Sequence, residues 1–196
     1  MSCMLLVITG CSGHSKNLKF GAADIGGMYY SFASTFTQLA DKEIDGYTFE
    51  TRTTAGSVAN LRLISDGYID LAIVQADLLS DAYNATGAFT DKKYQKGYKA
   101  VASLYTEAYQ IVVRNDSGIT SVDDLINKTV SVGASESGTE KNAEQILKMS
   151  GIADELINKV NMDYTEAAAK LKNGDIDAFF CTCLLYTSDA ADEGLG

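Results

Sequence analysis

A chain of 196 residues, 46% hydrophobic and 21% charged, has the make-up of an ordinary globular protein, so disorder is excluded as its default state. Its formal net charge of −10 excludes a polyanion such as nucleic acid as partner, because phosphate contacts require clustered Lys and Arg. No run reaches the about 20 apolar residues of a membrane-spanning helix, and the cysteines Cys3, Cys11, Cys181 and Cys183 do not make the paired CxxC pattern of a zinc site.

The N-terminal text is apolar or small from Met4 to Thr9, continues Gly10-Cys11, and turns polar through residues 12–17. That is the pattern of a processing segment. Ile8-Thr9-Gly10-Cys11 resembles a bacterial lipobox, in which cleavage leaves the cysteine first and lipidated. Cys11 is the expected lipidation site and residues 1–17 the signal peptide and tether, although the basic stretch that usually opens such a peptide is missing.

From Leu18 onward short apolar runs alternate with segments of helical spacing, which predicts an α/β chain with parallel sheets wrapped by helices. A strand over Leu18–Ala23 leads through Gly26-Gly27 into a helix whose apolar face carries Tyr29, Phe32, Phe36 and Leu39 and which ends near Lys42. Strands at 47–53 and 69–74 flank a helix at 57–65; a helix at 77–83 and a polar excursion at 86–96 follow. Strands at 101–104 and 109–114 come in almost direct succession, which places a hinge between a first lobe, residues 18–108, and a second, residues 109–182. The second lobe reads as a helix at 122–127, a strand at 129–132, a helix at 139–149, a strand at 159–162, a helix at 165–171 and a strand at 176–180. The run from Cys183 to Glu193 resembles a translated sequencing adapter, so residues 183–196 are expected to be a non-native tail and the second lobe incomplete.

Three turns rich in Gly, Ser or Thr precede helices: Gly26-Gly27 with Tyr29-Tyr30, Thr53-Thr54-Ala55-Gly56-Ser57, and Gly133 to Thr139. Helix starts carry unpaired N–H groups and a partial positive charge, so each suits a carboxylate or phosphate without any arginine. Each taken alone is also an ordinary N-cap. Ser137 and Glu140 match the S-x-x-E capping box, which sets where the third helix begins. In open α/β sheets the carboxyl ends of successive strands face one crevice, so turns of this kind converge.

Gly26-Gly27-Met28-Tyr29-Tyr30, Thr53 to Leu61, Asp70-Leu71-Ala72-Ile73-Val74-Gln75-Ala76-Asp77, Ala82 to Gly87 and Val132 to Asn142 resemble, in order and spacing, the TAXI family of TRAP-transporter receptors. The resemblance covers roughly Leu18 to Cys181; Ser31 departs from it, standing where a proline often follows the tyrosine pair. It implies a type II periplasmic-binding-protein fold, two α/β lobes closing on a small solute without catalysis or cofactor and handing it to a sodium-coupled TRAP permease. It implies an anionic cargo, a dicarboxylate or an amino acid such as glutamate, and an extracytoplasmic, lipid-anchored monomer.

Carried over by motif, the expected ligand-binding residues are Gly27, Tyr29 and Tyr30 on one wall, then Thr54, Gly56 and Ser57, then Gln75 and Asp77 at a strand end. Ser135, Ser137, Gly138 and Thr139 would donate from the second lobe. Asp77 either accepts an ammonium or caps the helix it begins. Tyr105 either meets the ligand or packs between lobes. An enzyme would need a catalytic constellation, but the single histidine, His14, lies in the tether, and neither G-x-S-x-G nor GK[ST] occurs. Asn84, Asn115 and Asn127 begin glycosylation sequons that read as chance. Two other binding classes share the expected fold: the receptor of an ABC importer, and the ligand-sensing domain of a transcription regulator, which would need a DNA-binding module upstream.

Overall fold

A computed structural model describes residues 16–90 and 97–183. Cys11 and the expected tail from residue 184 lie outside the described residues. Twelve regular elements are arranged on two sheets: β1 (Lys16–Gly21), α1 (Met28–Glu43), β2 (Tyr47–Arg52), α2 (Ser57–Ser65), β3 (Leu71–Ala72), α3 (Ala76–Asn84), β4 (Ala108–Val113), β5 (Thr129–Ser131), α4 (Gly138–Met149), β6 (Asn158–Val160), α5 (Tyr164–Asn173) and β7 (Ala178–Cys183). The first sheet is parallel, in the order β2-β1-β3; the second, β4-β7-β5-β6, is parallel except for β4, which runs antiparallel to β7. Strand β1 starts two residues ahead of the predicted Leu18, and Cys183, predicted to open the tail, pairs with Ala108 at the end of β7.

Both sheets are covered on two faces, as parallel sheets require. In β7 the alternation is visible residue by residue: Ala178 and Phe180 enter a core with Val130, Val132, Ala143 and Leu147, while Phe179 and Cys181 enter another with Ala167, Leu171 and Ile176. In the first lobe Phe20, Ala22, Ala33 and Ile73 pack beneath α1, and Leu61, Leu78, Ala82 and Phe89 pack on the other side.

The buried stripe of α1 is Ala33, Thr37 and Ala40, not the predicted row through Phe36 and Leu39, which are 38% and 58% exposed. Small residues let the helix lie close on the sheet, and Thr37 hydrogen-bonds Thr51 of β2 at 2.8 Å. The displaced Phe36 sits on the flank, edge-on to Phe20 and Phe49 at centroid distances of 5.4 and 6.2 Å. Strand β3 is shorter than the predicted 69–74, although Asp70 N–H and Ile73 N–H still donate to the carbonyls of Lys19 and Gly21. The predicted strand at 101–104 does not form: it pairs with no strand of either sheet among the described residues, and Val101 is 90% exposed. The chain crosses to the second sheet along irregular residues 97–107. The helix predicted at 122–127 is a 3-10 turn, Val122–Leu125. A capping box between Ser121 and Asp124 starts it, and Asn127 at φ 64° turns the chain out.

The first lobe is stitched at its strand ends by one side chain. Asn60 of α2, fully buried, donates its amide to the carbonyls of Ala22 at 2.6 Å and Ile73 at 2.8 Å, groups that no strand partner reaches. Asn60→Ala strands the Ile73 carbonyl, while Ala22 C=O keeps the Thr54 hydroxyl, and is expected to lower stability by about 1–3 kcal/mol, read as a lower midpoint in urea with the slope unchanged.

Candidate functional site

Between the lobes lies a cavity of about 270 Å³. Its wall contains the N-cap residue of all five α-helices among the described residues: Gly27, Gly56, Gln75, Ser137 and Asp163. The cause is topological. Every parallel strand here ends toward the same crevice, and the helix that follows begins there. The N-cap residues of α1, α2 and α3 make no side-chain cap; of the first-turn amides, Ala59 N–H donates to Glu136 C=O and Leu78 N–H to Asp77 Oδ1, and the others remain available. At α4 Ser137 accepts from Glu140 N–H at 3.0 Å, and at α5 Asp163 accepts from Glu166 N–H at 2.8 Å. The predicted capping box at Ser137 is only half built, because the Glu140 carboxylate accepts instead from Glu136 N–H at 2.9 Å.

Gly27, Tyr29, Thr54, Gly56, Ser57, Gln75, Ser137, Gly138 and Thr139 line the cavity together. The Thr54 hydroxyl donates to Ala22 C=O at 3.0 Å and accepts from Gly56 N–H at 3.2 Å, so its work is to shape the turn. Ser57 Oγ accepts from Gln75 N–H at 3.1 Å, and its own proton is directed at the Tyr29 phenol. Thr139 shares its hydroxyl with Tyr164 at 2.6 Å and Thr182 at 3.3 Å.

Four predicted residues stand elsewhere. Tyr30, one residue along the helix from Tyr29, turns onto the core formed by Phe20, Ala33 and Ile73. Ser135 is exposed, because Glu136 at φ 64° swings that part of the loop outward. Asp77 lies in the first turn of α3 rather than at its cap; its Oδ1 accepts from Leu78 N–H, and its Oδ2 accepts from Asn142 of α4 at 3.1 Å, across the lobes. Tyr105 lies outside the cavity wall with a buried hydroxyl that has no hydrogen-bond partner among the described residues.

Glu107, from the crossing segment, was not anticipated; Asp24, Asp163, Tyr164 and Thr182 also line the cavity. Glu107 Oε2 accepts from Tyr29 O–H at 3.1 Å and from Gln75 Nε2 at 3.5 Å. Burial raises the Glu107 carboxyl above the usual range; the two hydrogen bonds oppose that, and the charge of Asp77 adds to it. Burial first, then the charge of Glu107, also raises the phenols of Tyr29 and Tyr105.

The lobes touch where glycines present bare backbone. A Cβ on Gly138 would fall 2.0 Å from Gln75 Oε1, one on Gly26 would fall 2.9 Å from Thr165 Oγ1, and one on Gly56 would fall 3.4 Å from Ser137 Cα. Gly56 also sits at φ 118°, a conformation that side chains resist. Around these approaches Ala59 N–H donates to Glu136 C=O at 3.2 Å and Arg62 pairs with the Glu136 carboxylate. Among the described residues no group of His, Cys, Asp and Glu is arranged to hold a metal ion, and no helix is long and apolar enough to cross a membrane.

Two expectations can be measured. Gly138→Ala forces the Gln75 carboxamide out of its packed position, an overpacking expected to cost about 1–3 kcal/mol, read as a lower midpoint in urea. A carboxyl with a raised folded pKa contributes stability that is full below its unfolded value and lost as pH rises through the folded one. Glu107→Gln, which keeps an acceptor and cannot ionise, is therefore expected to raise the unfolding midpoint of the ligand-free protein at pH 7, with the difference vanishing as pH falls toward 4.5.

The NMT1-like family matches this chain over residues 20–188. Among solved structures it is similar to the alkanesulfonate-binding protein SsuA from Xanthomonas axonopodis pv. citri bound to MOPS, at 18% identity, 83% of this chain, 53% of that chain and a TM-score of 0.55. It is similar to holo ArgBP from T. maritima at 18% identity, covering 91% of this chain and 74% of that one, with a TM-score of 0.57. It is similar to a putative L-cystine ABC transporter from Listeria monocytogenes at 19% identity, 85% and 69% coverage, and a TM-score of 0.57. These likenesses establish the fold, that of type II periplasmic binding proteins; this chain spans about half the length of the SsuA protein.

Proposed function

The chain belongs to the NMT1-like family, and from that membership and its cleft we propose that it is an extracytoplasmic receptor that captures a small carboxylate-bearing metabolite and delivers it unchanged to a membrane permease. The observation that carries the proposal is the meeting of five helix starts, from both lobes, around one cavity. Amides and positive helix ends offer a carboxylate what water offers it, without lysine or arginine. A volume of about 270 Å³ suits a metabolite rather than a peptide. The ligand would reach the uncapped start of α2 and the hydroxyls of Ser57 and Thr139, with Gly27 and Tyr29 closing one side and Gly138 the other. Capture by closure explains why glycines stand at the lobe contacts.

The resemblance to TAXI receptors supports a sodium-coupled TRAP permease as the recipient, a dicarboxylate or an acidic amino acid such as glutamate as cargo, and Cys11 as the site of a lipid anchor. A second reading, the receptor of an ABC importer, is favoured by the likeness to the putative L-cystine ABC transporter. Uptake into vesicles carrying the neighbouring permease separates them: a sodium gradient drives the first, ATP the second.

Titrating the full chain with dicarboxylates and acidic amino acids is expected to raise its melting temperature by about 5–10 °C at roughly 100-fold excess over Kd. Melting curves that stay flat across the panel would overturn the acidic cargo class assigned here.

A further inference from the structure

The polar wall of the cavity is made of hydroxyls and helix-start amides, with three carboxylates among them, from Asp24, Glu107 and Asp163; among the described residues no Lys or Arg lines it. Two of the three are committed to backbone amides. Asp24 Oδ2 accepts from Gly26 N–H at 3.2 Å, and Asp163 Oδ1 caps α5. Glu107 has only side-chain donors, Tyr29 and Gln75. It is half-buried, and every titratable group recorded around it is acidic or phenolic: Tyr29 on α1, Asp77 on α3, Tyr105 in the crossing segment and Tyr109 on β4. Beside it Gln75 is 8% exposed, and its Oε1, pressed toward Gly138, is buried with no hydrogen-bond partner among the described residues. A carboxylate drawn out of water without a cation and a buried oxygen with nothing to accept are both costly to leave alone. One group satisfies both, a compact cation with several N–H donors.

We propose that Glu107 and Gln75 form the seat of a ligand ammonium, so that the cargo is an α-amino acid held as a zwitterion. Its carboxylate meets the uncapped start of α2, where the helix end is positive, and its ammonium meets Glu107 beneath Tyr29. The ammonium group has three donors and no acceptor, which matches a wall that offers oxygens there. The inference rests on the receptor reading and narrows its substrate class: Glu107 repels the far carboxylate of a dicarboxylate that has no amino group. Asp77 does not fill this role, because its two oxygens are taken by Leu78 and Asn142.

The test is calorimetric titration of the full chain with the twenty L-amino acids and, for whichever binds, with the corresponding acid lacking the amino group. Wild type is expected to prefer the amino acid by about 100-fold, the scale of a desolvated ion pair. Glu107→Gln is expected to weaken amino-acid binding by about 100-fold and to tighten binding of the acid that lacks the amino group. The wild-type comparison stands even if the variant fails to fold. Equal or stronger wild-type binding of the acids without an amino group, or an unchanged preference in Glu107→Gln, overturns the ammonium seat while leaving the receptor reading in place. No binding of any amino acid or carboxylic acid overturns the receptor reading itself, and the ammonium seat with it.

Discussion

Where α4 begins, the backbone of Gly138 lies against the carboxamide of Gln75 with no room for a methyl group between them, and the approaches of Gly56 to Ser137 and Gly26 to Thr165 repeat the arrangement on either side. Two lobes can share a cavity this small only if their loops interlock at backbone distance. That requirement sets residue type at the rim: glycine where the opposite lobe presses in, Ser or Thr where a hydroxyl must face inward. The cavity, the convergence of helix starts and the bonds from α2 and α3 to the second lobe all follow from that close contact. Packed interfaces of this kind have discrete arrangements rather than a continuum, so the closure proposed above would be switch-like.

The electrostatics follow from the same geometry. The chain carries a net charge of −10, and its cavity adds three carboxylates, yet the helix starts place fixed positive ends around them. Attraction for a negative group comes from backbone dipoles, which do not titrate and hardly move, and the acidic side chains are free to do something else. Asp24 and Asp163 fold loops, whereas Glu107 stays in the wall with neutral donors. Positive helix ends and the Glu107 carboxylate around one cavity would favour separated charge in the ligand proposed above.

Much of this was legible in the residues. The strand–turn–helix alternation, the helix at Ser57–Ser65 and the glycine-rich turns needed only periodicity and capping chemistry, because they are local. The errors came where size or distance decided. In α1 the eye follows Phe36 and Leu39, but the face that packs is the row of small residues Ala33, Thr37 and Ala40, since closeness to the sheet matters more than bulk. Val101 reads as a strand and is bare, because strand formation depends on a neighbour that no local pattern reveals. Glu107 sits in no motif; its contact with Tyr29 spans 78 positions, and only the return of the chain between the lobes creates it. Conversely Asp77 and Ser135 share their motifs with cavity residues and point elsewhere, since one residue of rotation or one left-handed turn is enough to change sides.

Asp77 with Asn142, and Arg62 and Ala59 with Glu136, join the lobes outside the chamber wall. In the proposed receptor, holding power would thereby be divided between what grips the cargo and what grips the other half of the molecule. A bound molecule would escape only after these outer ties let go, so its residence time would be governed by side chains it never meets. Strength of retention and choice of cargo are consequently separable properties, and evolution can adjust the first at Arg62, Asp77, Glu136 or Asn142 without disturbing the second.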